Sequence, residues 1–359
     1  MYRRWSFLVN LNVLVPIVAC LLLAAVWGQP LSWTIIALIA VLLIATVQIG
    51  VHHAEVVALR VGEPFGTLVL ALAVTIIELA LIVSIMVSKT SAASLARDTV
   101  FATVMIVCNG VVGLCLLVGG LRHRVMEFNV EGTNHALVVL VPLTTLVLVL
   151  PAFTTTTPGP FYSTSQLVFA GICSLLLYGV FVFVQTVRHR DYFLPVGGAE
   201  DMHAPPPTNA VALSSLLLLV VSLVAVVGLA KKLSPAIEAG VDKMSAPPSV
   251  VGIAIALLVL MPETWAALRN ALHNRMQTSL NLALGSALAT IGLTIPGVAI
   301  LSISLGLPLE LGLRPTETVL LAITLLVSAM SLASGRSTLM HGVVMLVMFA
   351  VFLFLAIVP

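Results

Sequence analysis

The chain has 359 residues, of which 60% are hydrophobic and only 8% charged, with a mean hydropathy of +1.18. A soluble domain carries about 25% charged residues, so a surface this poor in charge belongs in lipid rather than water. The formal net charge of +2 is too small for a nucleic-acid surface. The four cysteines, Cys20, Cys108, Cys115 and Cys173, fall inside apolar runs without CxxC or metal-ligand spacing, which argues against a disulfide framework.

A membrane helix needs about 20 predominantly apolar residues. In chain order such stretches fall at 7–27, 31–52, 66–88, 98–119, 136–153, 165–187, 210–230, 249–270, 279–305, 317–333 and 340–358. Arg3 and Arg4 before the first stretch give it the look of a signal peptide, but it lacks a small-x-small cleavage pattern and reads as a retained span. Turn chemistry separates the spans at Gly28-Gln29-Pro30, Glu63-Pro64-Phe65-Gly66, Thr157-Pro158-Gly159-Pro160 and Ala204-Pro205-Pro206-Pro207. The polar, proline-rich stretch 188–209 divides the chain into halves. The expected architecture is all-α and polytopic: an N-terminal helix (1–30), a first five-helix repeat (31–187), a linker (188–209) and a second, inverted five-helix repeat (210–359). With the N-terminus in the cytoplasm, Arg3, Arg4, Arg60, Arg122, Arg124, Arg188, Arg190, Arg269, Arg275 and Arg336 fall on the cytoplasmic side with the linker. Lys89, Arg97, Lys231, Lys232, Lys243 and Arg314 fall opposite, so the excess of basic residues favours this orientation.

Two acids stand where lipid penalises charge. Glu78 lies mid-span in LALAVTIIELALIVS, and Glu263 lies in ALLVLMPETWAAL, nearer its span's end. An acid at the centre of a membrane helix costs at least about 2.5 kcal/mol on insertion scales, and such residues mark ion or proton pathways. The third and eighth spans are an odd number apart and run in opposite directions, the plan of inverted-repeat transporters with a midplane ion site. The span after each glutamate carries buried polar groups. Asp98, Asn109 and Gly113 share a face of the fourth, and Ser286, Thr290 and Thr294 follow at four-residue steps in the ninth. Of these, Asn109, Ser286 and Thr290 are the better site candidates, because membrane hydroxyls often bond only their own helix. Pro262 has no N–H for the carbonyl of Leu258, making that oxygen a potential hard-cation ligand beside Glu263. Pro296-Gly297, Gly285 and Gly292 could loosen the ninth span in the same way.

At these same segments the chain resembles the calcium/cation antiporter superfamily, specifically the cation/proton exchanger branch with its ChaA-type bacterial antiporters. AEVVALRVGEPFG (54–66) resembles the approach to the family's first repeat, and Glu78 falls on that repeat's glutamate. Gly119-Gly120-Leu121-Arg122 with Phe128-Asn129 resembles its GGLR…FN linker. Glu263 falls on the second repeat's glutamate, and LNLALGSALATIGLTIP (280–296) resembles the helix after it. Gly335-Arg336-Ser337 with Gly342 resembles the GRS…G turn before the last span. The resemblance implies a bacterial inner-membrane antiporter, with Glu78 and Glu263 as the metal- and proton-binding carboxylates and no resident cofactor. Its partners are small cations, protons and the bilayer.

The family's GNxxE reads Val74-Thr75 and Val259-Leu260 before the two glutamates. Losing two amide oxygens weakens the case for Ca²⁺, which takes 6–8 oxygens, although the Thr75 hydroxyl replaces one. Na⁺ or K⁺ thus joins Ca²⁺ as a transported ion. The family's acidic stretch between the halves is reduced to Asp191, Glu200 and Asp201.

Two carboxylates in a low-dielectric cavity must be neutralised by two protons, one divalent cation, or one monovalent cation and a proton. That competition couples the fluxes in an alternating-access exchanger. A cation channel, the nearest rival, needs a continuous polar pore, whereas these polar residues cluster at one depth. An intramembrane enzyme is disfavoured: HExxH and GxSxG are absent, and His52-His53-Ala54-Glu55 lacks zinc-pair spacing and reads as a solvated membrane end.

Overall fold

The computed structural model describes residues 2–29, 32–62, 65–88, 93–194, 207–243, 247 and 249–358, with the side chains of 2–10, 65–68, 234, 238 and 241–243 not described. Pro30, Glu63-Pro64, Lys89, Glu200, Asp201, His203 and Ala204-Pro205-Pro206 lie outside the described residues. The helices are α1 (Tyr2–Val26), α2 (Trp33–Val61), α3 (Phe65–Ser88), α4 (Leu95–His123), α5 (Val130–Ala152), α6 (Thr164–Arg188), α7 (Asn209–Lys243), α8 (Ser249–Leu272), α9 (Met276–Leu305), α10 (Pro315–Leu332) and α11 (Leu339–Ile357). Among the described residues, α2 through α11 supply ten helices long and apolar enough to cross a membrane, and α1 adds the shorter apolar stretch Leu11–Val26. The protein is therefore a multi-pass, helical membrane protein.

The helix ends follow local chemistry. Ser32 caps α2 by accepting from the Ile35 N–H, and Gly62 closes it at φ 74°. Ser163 and Gln166 form a reciprocal capping box at the start of α6. The second span runs to Val61 rather than stopping near residue 52, which changes the reading of its polar cluster. His53 is buried, its Nε2 lying 3.1 Å from the Asn12 carbonyl of α1, while His52 and Glu55 stay half exposed.

The chain forms two compact units. One comprises α1–α3 and α7. In it α2 packs along α7, with Gly50 facing Ser222, and Ala54, Ala73 and Leu219 form a small apolar cluster. The other comprises α4–α6 and α8–α11. There α4 packs directly on α8 and α11, and α8 on α9. A Cβ at Gly252 of α8 would stand 2.8 Å from the Thr99 nitrogen, so only glycine permits that approach.

The second unit also holds a departure from a purely helical fold. Strands β1 (Val125–Glu127) and β2 (Arg336–Thr338) pair antiparallel, joining two of the motifs quoted above. The Phe128 N–H donates to the Gly335 carbonyl at 3.0 Å, and Gly335 adopts φ 65° to offer it. Above this ribbon α4 and α11 nearly touch: a Cβ on Gly113 would lie 2.9 Å from that of Met345 and 3.3 Å from the Gly342 carbonyl. Gly113 is thus a packing residue rather than a neighbour of a site. Nearby, Gln277 in the first turn of α9 accepts from the Asn129 N–H and donates to Asn281, which in turn donates to the Phe193 carbonyl. One chain of amides thereby anchors α5, α9 and the segment after α6.

Four helices contain wide π turns: Ile106–Val111 in α4, Thr145–Val149 in α5, Val184–Arg188 in α6 and Thr290–Thr294 in α9. Proline accounts for two of them. Pro296 offers no N–H to the Gly292 carbonyl, and Pro151 none to the α5 turn before it, so each ladder loosens upstream. The carbonyls released in α5 find other donors. Leu146 accepts from the Tyr162 hydroxyl at 2.6 Å and Leu148 from the Leu313 N–H at 2.8 Å. Burial pushes the Tyr162 phenol up to about 12, so it stays protonated as a donor.

Candidate ion-binding site

The predicted site residues divide between the two units. Glu78 and Thr75 lie on α3 of the first, with Glu78 1% exposed and Thr75 buried. Asn109, Leu258, Pro262, Glu263, Ser286 and Thr290 all belong to the second unit. Within it α4, α8 and α9, the helices that carry these six, pack directly on one another. Asn109 and Thr290 are buried, whereas Glu263, Leu258, Pro262 and Ser286 are partly exposed. Glu78, Glu263 and Leu258 each have a polar or electrostatic partner. The α8 helix continues through Pro262 to Leu272.

The π turns of α4 and α9 fall on Asn109 and Thr290, the residues singled out after each glutamate. Such turns widen the backbone and re-aim side chains, and they recur at functional sites. Asn109 Nδ2 donates to Thr324 Oγ1 of α10 at 2.8 Å, and Thr324 Oγ1 lies 3.4 Å from the Met105 sulfur. Asn109 Oδ1 is buried and has no hydrogen-bond partner among the described residues.

Asp98 has a different setting from the one its spacing suggests. Arg97 is 1% exposed, and its Nε and Nη2 donate to Asp98 Oδ1 at 2.9 and 2.8 Å. Its Nη1 reaches Glu310 and also donates to the Gly312 carbonyl at 3.1 Å. Ser94 Oγ donates to the second Asp98 oxygen, and the Glu310 N–H donates to the Ala93 carbonyl. Arg97, counted above among the loop cations, thus supplies the partner that fixes Asp98 at the start of α4.

Two contributors were missed from the sequence. Thr324 belongs to a buried hydroxyl stripe on α10 with Ser328 and Ser331, whose three- and four-residue spacing is a readable signal. The Arg97–Glu310 pair, 213 residues apart, leaves only an adjacent Arg-Asp as a hint.

Among known proteins, the family profile described as sodium/calcium exchanger protein matches residues 31–187 and 214–358. The y4hA protein of Sinorhizobium fredii is 46% identical over 362 aligned residues, covering 99% of this chain and 96% of that one. The sodium-potassium/proton antiporter ChaA of Escherichia coli is 34% identical over 352 residues, covering 95% and 94%. The crystal structure of the H⁺/Ca²⁺ exchanger CAX shares the fold at TM-score 0.74 and 14% identity, covering 99% of this chain and 89% of that one. On the strength of these matches along nearly its whole length, the chain belongs to the sodium/calcium exchanger protein family.

Proposed function

We propose that this protein is a secondary antiporter exchanging Na⁺ or K⁺ for protons, with Glu78 and Glu263 as the groups the ions and protons share. The observation that carries this reading is the near-full-length match to a sodium-potassium/proton antiporter in a chain whose Glu78 is sequestered mid-helix. A carboxylate shut away from water holds either a proton or a cation. Loading one therefore expels the other, and exposure of the carboxylates to each side in turn makes the two fluxes obligatory partners. Thr75, Asn109, Ser286 and Thr290 complete the cation's shell with neutral oxygens, and the Leu258 carbonyl beside Pro262 is a further ligand.

A monovalent ion fits the sequence better than Ca²⁺, because Val74-Thr75 and Val259-Leu260 stand where the exchanger branch places Gly-Asn. In this reading the helices after α1 form two inverted five-helix repeats, 31–187 and 210–359, joined by a cytoplasmic linker at 188–209. The protein sits in a bacterial inner membrane with its N-terminus in the cytoplasm.

Everted vesicles carrying an imposed proton gradient test the proposal. Addition of Na⁺ or K⁺ should dissipate the gradient saturably, Ca²⁺ should do so less well, and the half-saturating cation concentration should rise as pH falls and protons compete. Gradient loss that is non-saturable and independent of pH would instead indicate a channel.

A further inference from the structure

The π turn Ile106–Val111 carries Asn109, which is 0% exposed. Its amide nitrogen donates to Thr324 Oγ1 at 2.8 Å, and Thr324 is equally buried. The Thr324 hydroxyl in turn points its proton to the Met105 sulfur at 3.4 Å. A hydroxyl has one proton and two acceptor positions. With the proton committed to Met105, Oγ1 can only accept from Asn109, and that settles which end of the amide faces α10. The nitrogen faces Thr324. The oxygen Oδ1 is left buried with no hydrogen-bond partner among the described residues. A buried carbonyl in that condition is costly to maintain, and its lone pairs are free to take a hard cation.

We infer that Thr324 is a positioning residue for ion binding, holding the Asn109 amide in the one orientation that offers Oδ1 to the transported cation. The inference rests on the antiport reading and deepens it. A neutral amide oxygen is a hard ligand suited to Na⁺ or K⁺. It contributes from α4 the type of ligand that the segments before Glu78 and Glu263 lack, where valine and leucine replace the family's Gly-Asn. Were Thr324 to lose its acceptor, the Asn109 amide nitrogen would keep only its long bond to the Met105 sulfur at 3.9 Å, and the amide could turn its oxygen away.

The test uses the full chain in everted vesicles, with initial exchange rate measured against Na⁺ and K⁺ concentration. Thr324→Val keeps the shape and removes the hydroxyl. The half-saturating cation concentration should rise about tenfold while the maximal rate stays within about twofold. Thr324→Ser, which keeps the acceptor, should restore the original value. Because Thr324 acts only through Asn109, adding Thr324→Val to Asn109→Leu should worsen nothing further. Thr324→Ala gives the same readout should the valine variant express poorly. An unchanged half-saturating concentration, or an effect fully additive with Asn109→Leu, would overturn the inference. If Glu78→Gln vesicles lose exchange while Thr324→Val behaves as the native protein, only the role of Thr324 falls. If Glu78→Gln vesicles exchange normally, it is the antiport reading that fails.

Discussion

Asp98 and Glu78 are both acids withdrawn from solvent, and they stand at different depths in their helices. Asp98 sits in the first turn of α4 beside Arg97, with Ser94 and Glu310 completing a closed set of bonds. Glu78 sits near the middle of α3, a helix that has no Lys, Arg or His of its own, and it too has a polar or electrostatic partner. The first arrangement fixes a helix end, since Arg97 is shared between Asp98 and Glu310 and Ser94 bonds the remaining Asp98 oxygen. The second puts a titratable group deep in an apolar helix, the setting in which cation and proton can alternate. Burial alone does not separate the two; position along the helix does, one acid standing in a first turn and the other at mid-helix.

Substitutions at three depths sharpen the contrast. Glu78→Gln should reduce exchange to background in everted vesicles while the protein still inserts and can be purified in detergent. Retention of exchange there would erase the distinction drawn above. Arg97→Leu should do the reverse. It strands Asp98 and Glu310 without their counter-charge, costing about 3–5 kcal/mol of stability, seen as a lowered midpoint, while the correctly inserted fraction keeps its half-saturating cation concentration. Loss of exchange at undiminished stability would move Arg97 and Asp98 into the transport machinery. Arg336→Gln should matter least. Its bond to Glu127 at 3.2 Å joins side chains 73% and 56% exposed, and such surface pairs contribute under about 1 kcal/mol. A midpoint drop comparable to that of Arg97→Leu would contradict this ordering.

The helices were legible because membrane burial is a property of one segment at a time. Twenty apolar residues announce a span whatever the rest of the chain does, and the spans fall close to the predicted stretches. The second span is the instructive exception: it continues to Val61 and buries His53 against an α1 carbonyl, a contact that hydropathy cannot register. The same limit hid the Arg97–Glu310 pair and the bond from Asn109 to Thr324, which join residues 213 and 215 positions apart. Proline foreshadowed the loosened ninth span, since a missing N–H is visible in sequence. The π turn at Asn109 had no such marker, and regular periodicity runs past it. The ribbon of β1 and β2 escaped because its strands are three residues each, too short for an alternation pattern.

The glycine seam between α4 and α11 limits how this protein can move. With Gly113 and Gly342 in near-backbone contact and the β1–β2 ribbon bonded beside them, these two helices have no room to shear and no slack to separate. The helical ladder is looser at the π turns around Asn109 and Thr290, so a bend costs less there than along this seam.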